Sequence, residues 1–186
     1  METRFIEERI KYDGSQLSPH WIYRNFSILG DAVVSFTGEC RVELSHMVDL
    51  VDVKSGQWIY SPLMLHFIVE KFDTDLERAV LRQRMLITII KEWLEERLTS
   101  RVIRRGDDLF VGEGKLSVSI ATVSLASTLI HVGLNIDTEG TPVKTVGLKD
   151  LGIIDARQMA QDVMSRFREE MMGIYLARCK VRGVGL

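Results

Sequence analysis

Asparagine is almost missing from this chain: Asn25 and Asn135 are its only two, beside 24 basic and 26 acidic side chains. A chain poor in amides and rich in charge is the kind found in heat-adapted proteins, which gives the expectation of a thermophilic source. Cysteine is equally sparse. Cys40 and Cys179 lie far apart and in no Cys-x-x-Cys pair, which argues against a disulfide framework and a thiolate zinc site and for a reducing compartment. Charge of one sign is lacking too: the net of -2 offers no positive field to nucleic acid or to an anionic membrane, so neither is expected as a partner. No stretch approaches the ~20 apolar residues of a membrane span. The segment from Met1 to Tyr12 carries Glu2, Glu7 and Glu8 and lacks the apolar stretch of a signal peptide, so the expected location is the cytoplasm. What the chain does have is 186 residues, 46% of them hydrophobic, enough to bury the core of a single domain spanning 1–186.

There is no internal repeat or low-complexity linker, and the glycines punctuate turns throughout. Residues 4–12, 28–36 and 40–44 are short, rich in β-branched or aromatic side chains and bounded by Gly14, Gly30 and Gly38, which predicts three strands. Ser61 and Pro62 read as a cap and first helical position, with Leu65, Ile68, Val69 and Phe72 at helical spacing, which predicts a short helix. Thr74 to Glu77 reads as a capping box, and Leu86, Ile89, Ile90, Trp93 and Leu94 lay an apolar stripe on a long helix ending near Leu98. Residues 102–103, 109–111, 115–124 and 129–136 return to strand periodicity. A second cap at Asp155 to Gln158 opens a C-terminal helix with Ala160, Val163, Phe167, Met171 and Ile174 on one face. Strands and helices in blocks predict an α+β fold: a mixed, mainly antiparallel sheet with both long helices packed on one face.

Alternation puts Lys115, Ser117 and Ser119 on one face of their strand, and His131, Gly133, Asn135 and Asp137 on one face of the next. If the two pair as a hairpin through Ala126 to Thr128, a lysine, hydroxyls, an imidazole and an amide meet in one space. Gly133 in mid-strand is the kind of position where a ligand or another backbone comes close. A sheet with one wet face gives the same alternation without a site. Upstream, Arg104 and Arg105 at a strand entrance suit a phosphate, and Asp107 or Asp108 suits Mg²⁺ or a substrate amine, although Gly-Asp-Asp is equally a turn. His20, His46 and His66 show no metal-ligand spacing and read as structural, and no metal site is expected.

The stretch from Arg104 to Asp137, RRGDDLFVGEGKLSVSIATVSLASTLIHVGLNID, resembles the lipoate ligase, octanoyltransferase and biotin protein ligase family, with its Asn-Asp turn, Lys-Ile-Ala or Lys-Ile-Ser segment and later Gly-x-Asn strand. The resemblance covers roughly residues 75 to 172 and implies that family's class II synthetase-like fold. It implies a catalytic role for Lys115, and places Asp108, His131, Gly133 and Asn135 around the pocket; Arg104 and Arg105 at the strand entrance and Ser117 on the polar strand face join them as expected ligand contacts. It also implies ATP and Mg²⁺ as co-substrates, a small carboxylic acid or a nucleotide as ligand, and an acceptor protein. The N-terminal part, with Ser18-Pro19-His20-Trp21 and His46-Met47-Val48-Asp49, looks closer to an uncharacterised archaeal family of about this length. Two departures bear on activity. Where octanoyltransferases carry a Pro-Cys-Gly-Leu segment with the acyl-accepting cysteine, this chain has Thr145-Val146-Gly147-Leu148, and valine is no nucleophile. The arginine- and glycine-rich segment of the adenylating members is matched only by Ser35 to Arg41, with one glycine and one arginine. The expectation is a ligase or transferase acting on a lipoate-, biotin- or fatty-acid-class substrate, against a non-catalytic nucleotide- or acyl-binding protein or a structural oligomer subunit. A two-fold homodimer is expected, as the commonest closed assembly.

Overall fold

In a computed structural model, which describes residues 1–56 and 58–185, two sheets divide the strands. β1 (Glu2–Phe5), β2 (Ala32–Val42), β3 (Ile59–Lys71), β7 (Ser117–Val123) and β8 (Thr128–Asp137) form a five-stranded sheet in the order β1-β2-β3-β8-β7. β4 (Val102–Arg105), β5 (Asp108–Val111) and β6 (Gly114–Lys115) form a small antiparallel one. Only β1 runs parallel to its neighbour in the large sheet, so the architecture is the expected mixed, mainly antiparallel α+β arrangement.

Both long helices pack on one face of the large sheet, each because a single apolar stripe has to leave water. α3 (Leu76–Glu95) starts where the Asp75 carboxylate accepts from Arg78 N at 3.0 Å, and buries Leu86, Ile87, Ile90, Trp93 and Leu94. α4 (Ala156–Cys179) starts where Asp155 accepts from Gln158 N at 2.8 Å, and buries Met159, Ala160, Val163, Met164 and Phe167. The helices are tied by Trp93 Nε1 donating to Asp162 at 2.9 Å and by a two-pronged Arg166–Glu96 pair. The opposite face of the sheet carries a second core, where Ile6, Tyr12 and Ile22 pack on Val34, Phe36, Cys40, Met64 and Ile68. Two short helices lie along this side of the chain, α1 (Trp21–Phe26) and α2 (Leu50–Ser55). Among the described residues no helix is long and apolar enough to cross a membrane.

Three readings of the sequence are corrected. The helix predicted from Ser61 to Phe72 is the central strand β3. It lies between β2 and β8 with core on both faces, and such a strand shows a continuous apolar run that periodicity cannot tell from a buried helix. Pro62, which has no N–H to give a ladder, is tolerated because the register slips beside it on both partners, between Gly38 and Cys40 on one side and at Leu63/Met64 on the other. The strands predicted at 28–36 and 40–44 are one strand, β2, and Gly38 lies inside it. A Cβ on Gly38 would sit 1.9 Å from the Ile10 carbonyl oxygen, so this glycine marks a backbone crossing and no strand end. The predicted strand over 4–12 stops at Phe5, beyond which the chain straps across β2, with Tyr12 bridged to Cys40.

Candidate functional site

A pocket of about 390 Å³ lies on the sheet face opposite the long helices, between the large sheet, the small sheet and α2. Its inner wall is a hydrogen-bonded pair of histidines. β3 and β8 are antiparallel neighbours, and their register sets His66 Nδ1 3.0 Å from His131 Nε2. The other nitrogen of His66, Nε2, is 3.2 Å from the Gly38 carbonyl oxygen, which can only accept. Burial keeps both imidazoles neutral, pushing His66 down to about 4 and His131 well below its ordinary value, where the neighbouring His66 also disfavours charge. The protons follow: His66 donates from Nε2 to Gly38, its Nδ1 accepts from His131 Nε2–H, and His131 Nδ1 is left as a bare lone pair.

Among the described residues that lone pair has no partner, and no fully buried side-chain nitrogen or oxygen lacks one, so Nδ1 is open to the pocket that His131 lines. Tyr12 stacks flat on His131, centroids 3.7 Å apart, and its hydroxyl is likewise unpartnered among the described residues and open to the pocket. Burial holds the phenol protonated well above neutral pH, with Cys40 and Asp13 adding to the effect. Cys40 also lines the pocket, but burial, reinforced by Glu39, pushes its thiol up to about 12, so it is a packing group and no thiolate nucleophile.

Lys115 stands on the outer wall. The chain leaves the small sheet at Lys115 and joins the large one at Ser117, so the predicted strand of 115–124 is broken at Leu116, whose N–H bonds to Leu109 and whose carbonyl bonds to Asn135 N. The expected antiparallel pairing with the His131 strand therefore holds from Ser117 onward only. The Lys115 ammonium lies 2.8 Å from the Asp108 carboxylate, which is its side-chain partner among the described residues. Asn135 meets Lys115 through the backbone, its Nδ2 donating to the Lys115 carbonyl at 3.1 Å. The run at Thr145 and Val146 lies alongside, bridged to Lys115 by Lys115 N–H to the Lys144 carbonyl and Val146 N–H to the Lys115 carbonyl.

Ser117 and Ser119 face the other way. They pair with Leu134 and Val132, and residues opposite one another in an antiparallel ladder share a face, so both point toward α3. Ser117 Oγ accepts from Leu109 N at 2.8 Å, and Ser119 Oγ bonds Gln83 at 2.7 Å. Arg104 and Arg105 also miss the pocket. Both are exposed on β4, one bonded to the Gly106 carbonyl at 2.6 Å and the other over the Phe110 ring. Gly133 does lie on the pocket side, and a Cβ there would meet Met64 Cε at 2.9 Å, so its smallness makes room for the core. Of the eight candidate residues the structure thus gathers Lys115, Asp108, His131 and Asn135 at the pocket, with Gly133 beneath them.

The mouth is acidic. Asp49, Asp52, Asp107 and Asp108 line it against Lys115 and the exposed Lys144, which is paired to Glu113. Burial raises the carboxyls of both Asp108 and Asp52; Lys115 pulls each down, while neighbouring aspartates push each up. Among the described residues no three His, Cys, Asp or Glu side chains converge as a metal site. The sequence reading missed Tyr12, His66 and Asp52. His66 was hidden once its strand read as a helix, and Tyr12 and Asp52 reach the pocket only through a strap and a short helix that carry no motif.

This mixed sheet, with two helices on one face and a pocket on the other, defines a biotin and lipoate ligase-like fold. The biotin protein ligase of Aquifex aeolicus in complex with biotin and ATP superposes with a TM-score of 0.58 at 16% identity, over 91% of this chain and 70% of that one. A putative lipoate protein ligase from T. acidophilum with bound lipoic acid does so with a TM-score of 0.56 at 15% identity, over 93% and 87%. At such identities the likeness shows the fold alone. The chain belongs to the family described as Domain of unknown function (DUF366), matched over residues 1–182. A protein of unknown function from Pyrococcus horikoshi is 40% identical with a TM-score of 0.91, over 98% of this chain and 99% of that one. An uncharacterized protein of Methanocaldococcus jannaschii is 36% identical over 177 residues, 92% of this chain and 80% of its own length.

Proposed function

We propose that this protein is a ligase or transferase of small carboxylic acids, of the lipoate, biotin or fatty-acid class, with Lys115 as the cation at the reacting carbonyl. The observation that carries the reading is Lys115 itself: a half-buried ammonium on the wall of a 390 Å³ pocket, its backbone pinned by Asn135, in a fold shared with ligases that bind biotin or lipoate. An ammonium held there favours the negative charge that develops on a carbonyl oxygen during acyl transfer. Asp108 fixes its position. Arg104, Arg105 and Ser117 have no part in the reading.

ATP is suggested by the neighbour that binds biotin and ATP, and Mg²⁺ would come only with it, but the residues here fit a triphosphate poorly. The segment from Ser35 to Arg41 lies within β2 and is laddered to β3, while the strap on its other side takes the Thr37 and Glu39 carbonyls and gives the Tyr12 carbonyl to Arg41 N–H. It is not a loop with amides free to cradle phosphate, and the aspartates at the mouth repel it. No step is therefore drawn through ATP. This misfit favours a second reading, a protein that holds an acyl ligand or nucleotide without turnover. Acid-dependent exchange of labelled pyrophosphate into ATP, run over a panel of carboxylic acids with the parent and Lys115→Ala, tests both. Exchange lost in the variant supports the ligase, and an acid that raises the melting temperature of the parent without exchange excludes the ligase and leaves the transferase or the binder.

A further inference from the structure

We propose that the ligand of this pocket carries a protonated amine, held between Asp52 and Asp108, and presents an N–H or O–H donor to His131 Nδ1 at the inner wall. The proposal rests on the reading of this pocket as the site of a small carboxylic acid, and replaces the lipoate, biotin or fatty-acid class by an amino acid or a similarly amine-bearing acid.

Two independent features lead there. The first is charge. Asp49, Asp52, Asp107 and Asp108 line the mouth; Lys115 offsets Asp108 at 2.8 Å and Arg84 offsets Asp107 at 3.3 Å, so among the described residues Asp49 and Asp52 are left without a cation of their own and keep the mouth negative. Like charges crowded into a half-buried wall attract a cation. A metal ion is the poorer match, because among the described residues no three such groups converge. An ammonium spreads three N–H donors over acceptors that need not converge on a point.

The second feature is the buried polar wall. His131 and Tyr12 are each 3% exposed, yet each turns an unpartnered polar atom to the pocket. The Gly38 carbonyl fixes the direction of the histidine relay, so that His131 offers a lone pair and cannot donate to a carboxylate or phosphate. A desolvated acceptor left unmatched costs binding, so the His131 end of the wall selects a donor over an acyl tail or an oxyanion, while the Tyr12 hydroxyl beside it can donate or accept. The two ends together describe a molecule with donors at both the mouth and the wall, and the carboxylate of an amino acid would be left for Lys115.

The test is calorimetric titration of the full chain with matched sets: amino acids, the amines made from them by loss of the carboxylate, and the desamino acids made by loss of the amine. MgATP and lipoate are run alongside. The expected result is binding by at least one amine-bearing compound while its desamino partner binds at least about tenfold more weakly. Asp52→Asn should weaken that compound about tenfold, and Tyr12→Phe or His131→Phe should weaken compounds that bear the inner donor. Asp52 is chosen because its carboxylate takes no hydrogen bond among the described residues, so its loss leaves the fold in place. Absence of binding by every amine at about 1 mM overturns the proposal, as does equal binding by the desamino partners or by Asp52→Asn. Pyrophosphate exchange separates this outcome from the ligase reading: an amine that binds without exchange sinks the adenylating ligase and leaves the pocket's selectivity standing.

Discussion

Acidification should weaken the fold through the histidine pair, and by a calculable amount. His66 is fully buried and neutral, with its pKa held at about 4 by desolvation against an ordinary value of 6.5. Between those values the unfolded chain binds a proton that the folded one refuses, so stability rises with pH across the window and is lost as pH falls through 6.5 toward 4. Above 6.5 neither state is protonated and the effect vanishes. From pH 7 to pH 4.5 the difference integrates to roughly 2.5 kcal/mol, a large share of a domain's 5–15. His131, lowered for the same reason and by its neighbour, acts in the same direction. Carboxylates contribute over the same range: Asp73 and Asp162 are held down and Asp108 is raised, so the parent's slope alone does not isolate the pair. The comparison is therefore with His66→Gln, whose amide donates to Gly38 and accepts from His131 but does not titrate. Urea unfolding at half-unit steps from about pH 7 to 4.5 should show the parent losing about 2 kcal/mol more than the variant. Parallel pH profiles for the two proteins would refute the assignment of a neutral, proton-refusing His66.

Lys115→Ala should change stability by less than about 1 kcal/mol, since its pair with Asp108 is about 30% exposed on both sides, while any turnover falls by ~2 to 4 kcal/mol in transition-state terms; Lys149→Ala, an exposed pair with Asp137, serves as the control in both assays. Gly38→Ala should cost on the order of 3 kcal/mol in urea unfolding, because its Cβ meets the Ile10 carbonyl and the strap must lift. Phe167→Ala should cost about 3–5 kcal/mol, whereas Met172→Ala further along α4, more than half exposed, should cost under about 1. Light scattering at micromolar concentration should return twice the 21.2 kDa chain mass if the expected homodimer forms through a free edge at β1 or β7.

What was legible in the sequence was whatever local chemistry fixes by itself. Asp155 and the residues around Thr74 start helices because a side-chain oxygen can take an orphan N–H, and an apolar stripe at helical spacing must find a partner surface. The cap was nevertheless off by one residue: Asp75, and not Thr74, holds the helix start. β3 was misread because a central strand buried on both faces has no alternation to show, and with it went His66 and the whole histidine relay.

The site was half legible for a sharper reason. Alternation assigns faces correctly only while a strand stays in one sheet, since a slip of one residue turns every later side chain over. At Leu116 the chain changes sheets, so Lys115 is freed from the face that Ser117 and Ser119 share with Val132 and Leu134. That single break explains both errors and the one success: the serines turn to α3, and Lys115 reaches the pocket for a reason other than the one its periodicity suggested. The partners of Lys115 come from Asp108 on the neighbouring strand and Asn135 across the sheet, and neither contact is set by spacing along the chain. The chemistry of this pocket is thus written in register: the antiparallel ladder that sets His66 opposite Gly133 and Ile68 opposite His131 brings the two imidazoles together, and at Gly133 a side chain would crowd both Met64 and the His131 ring.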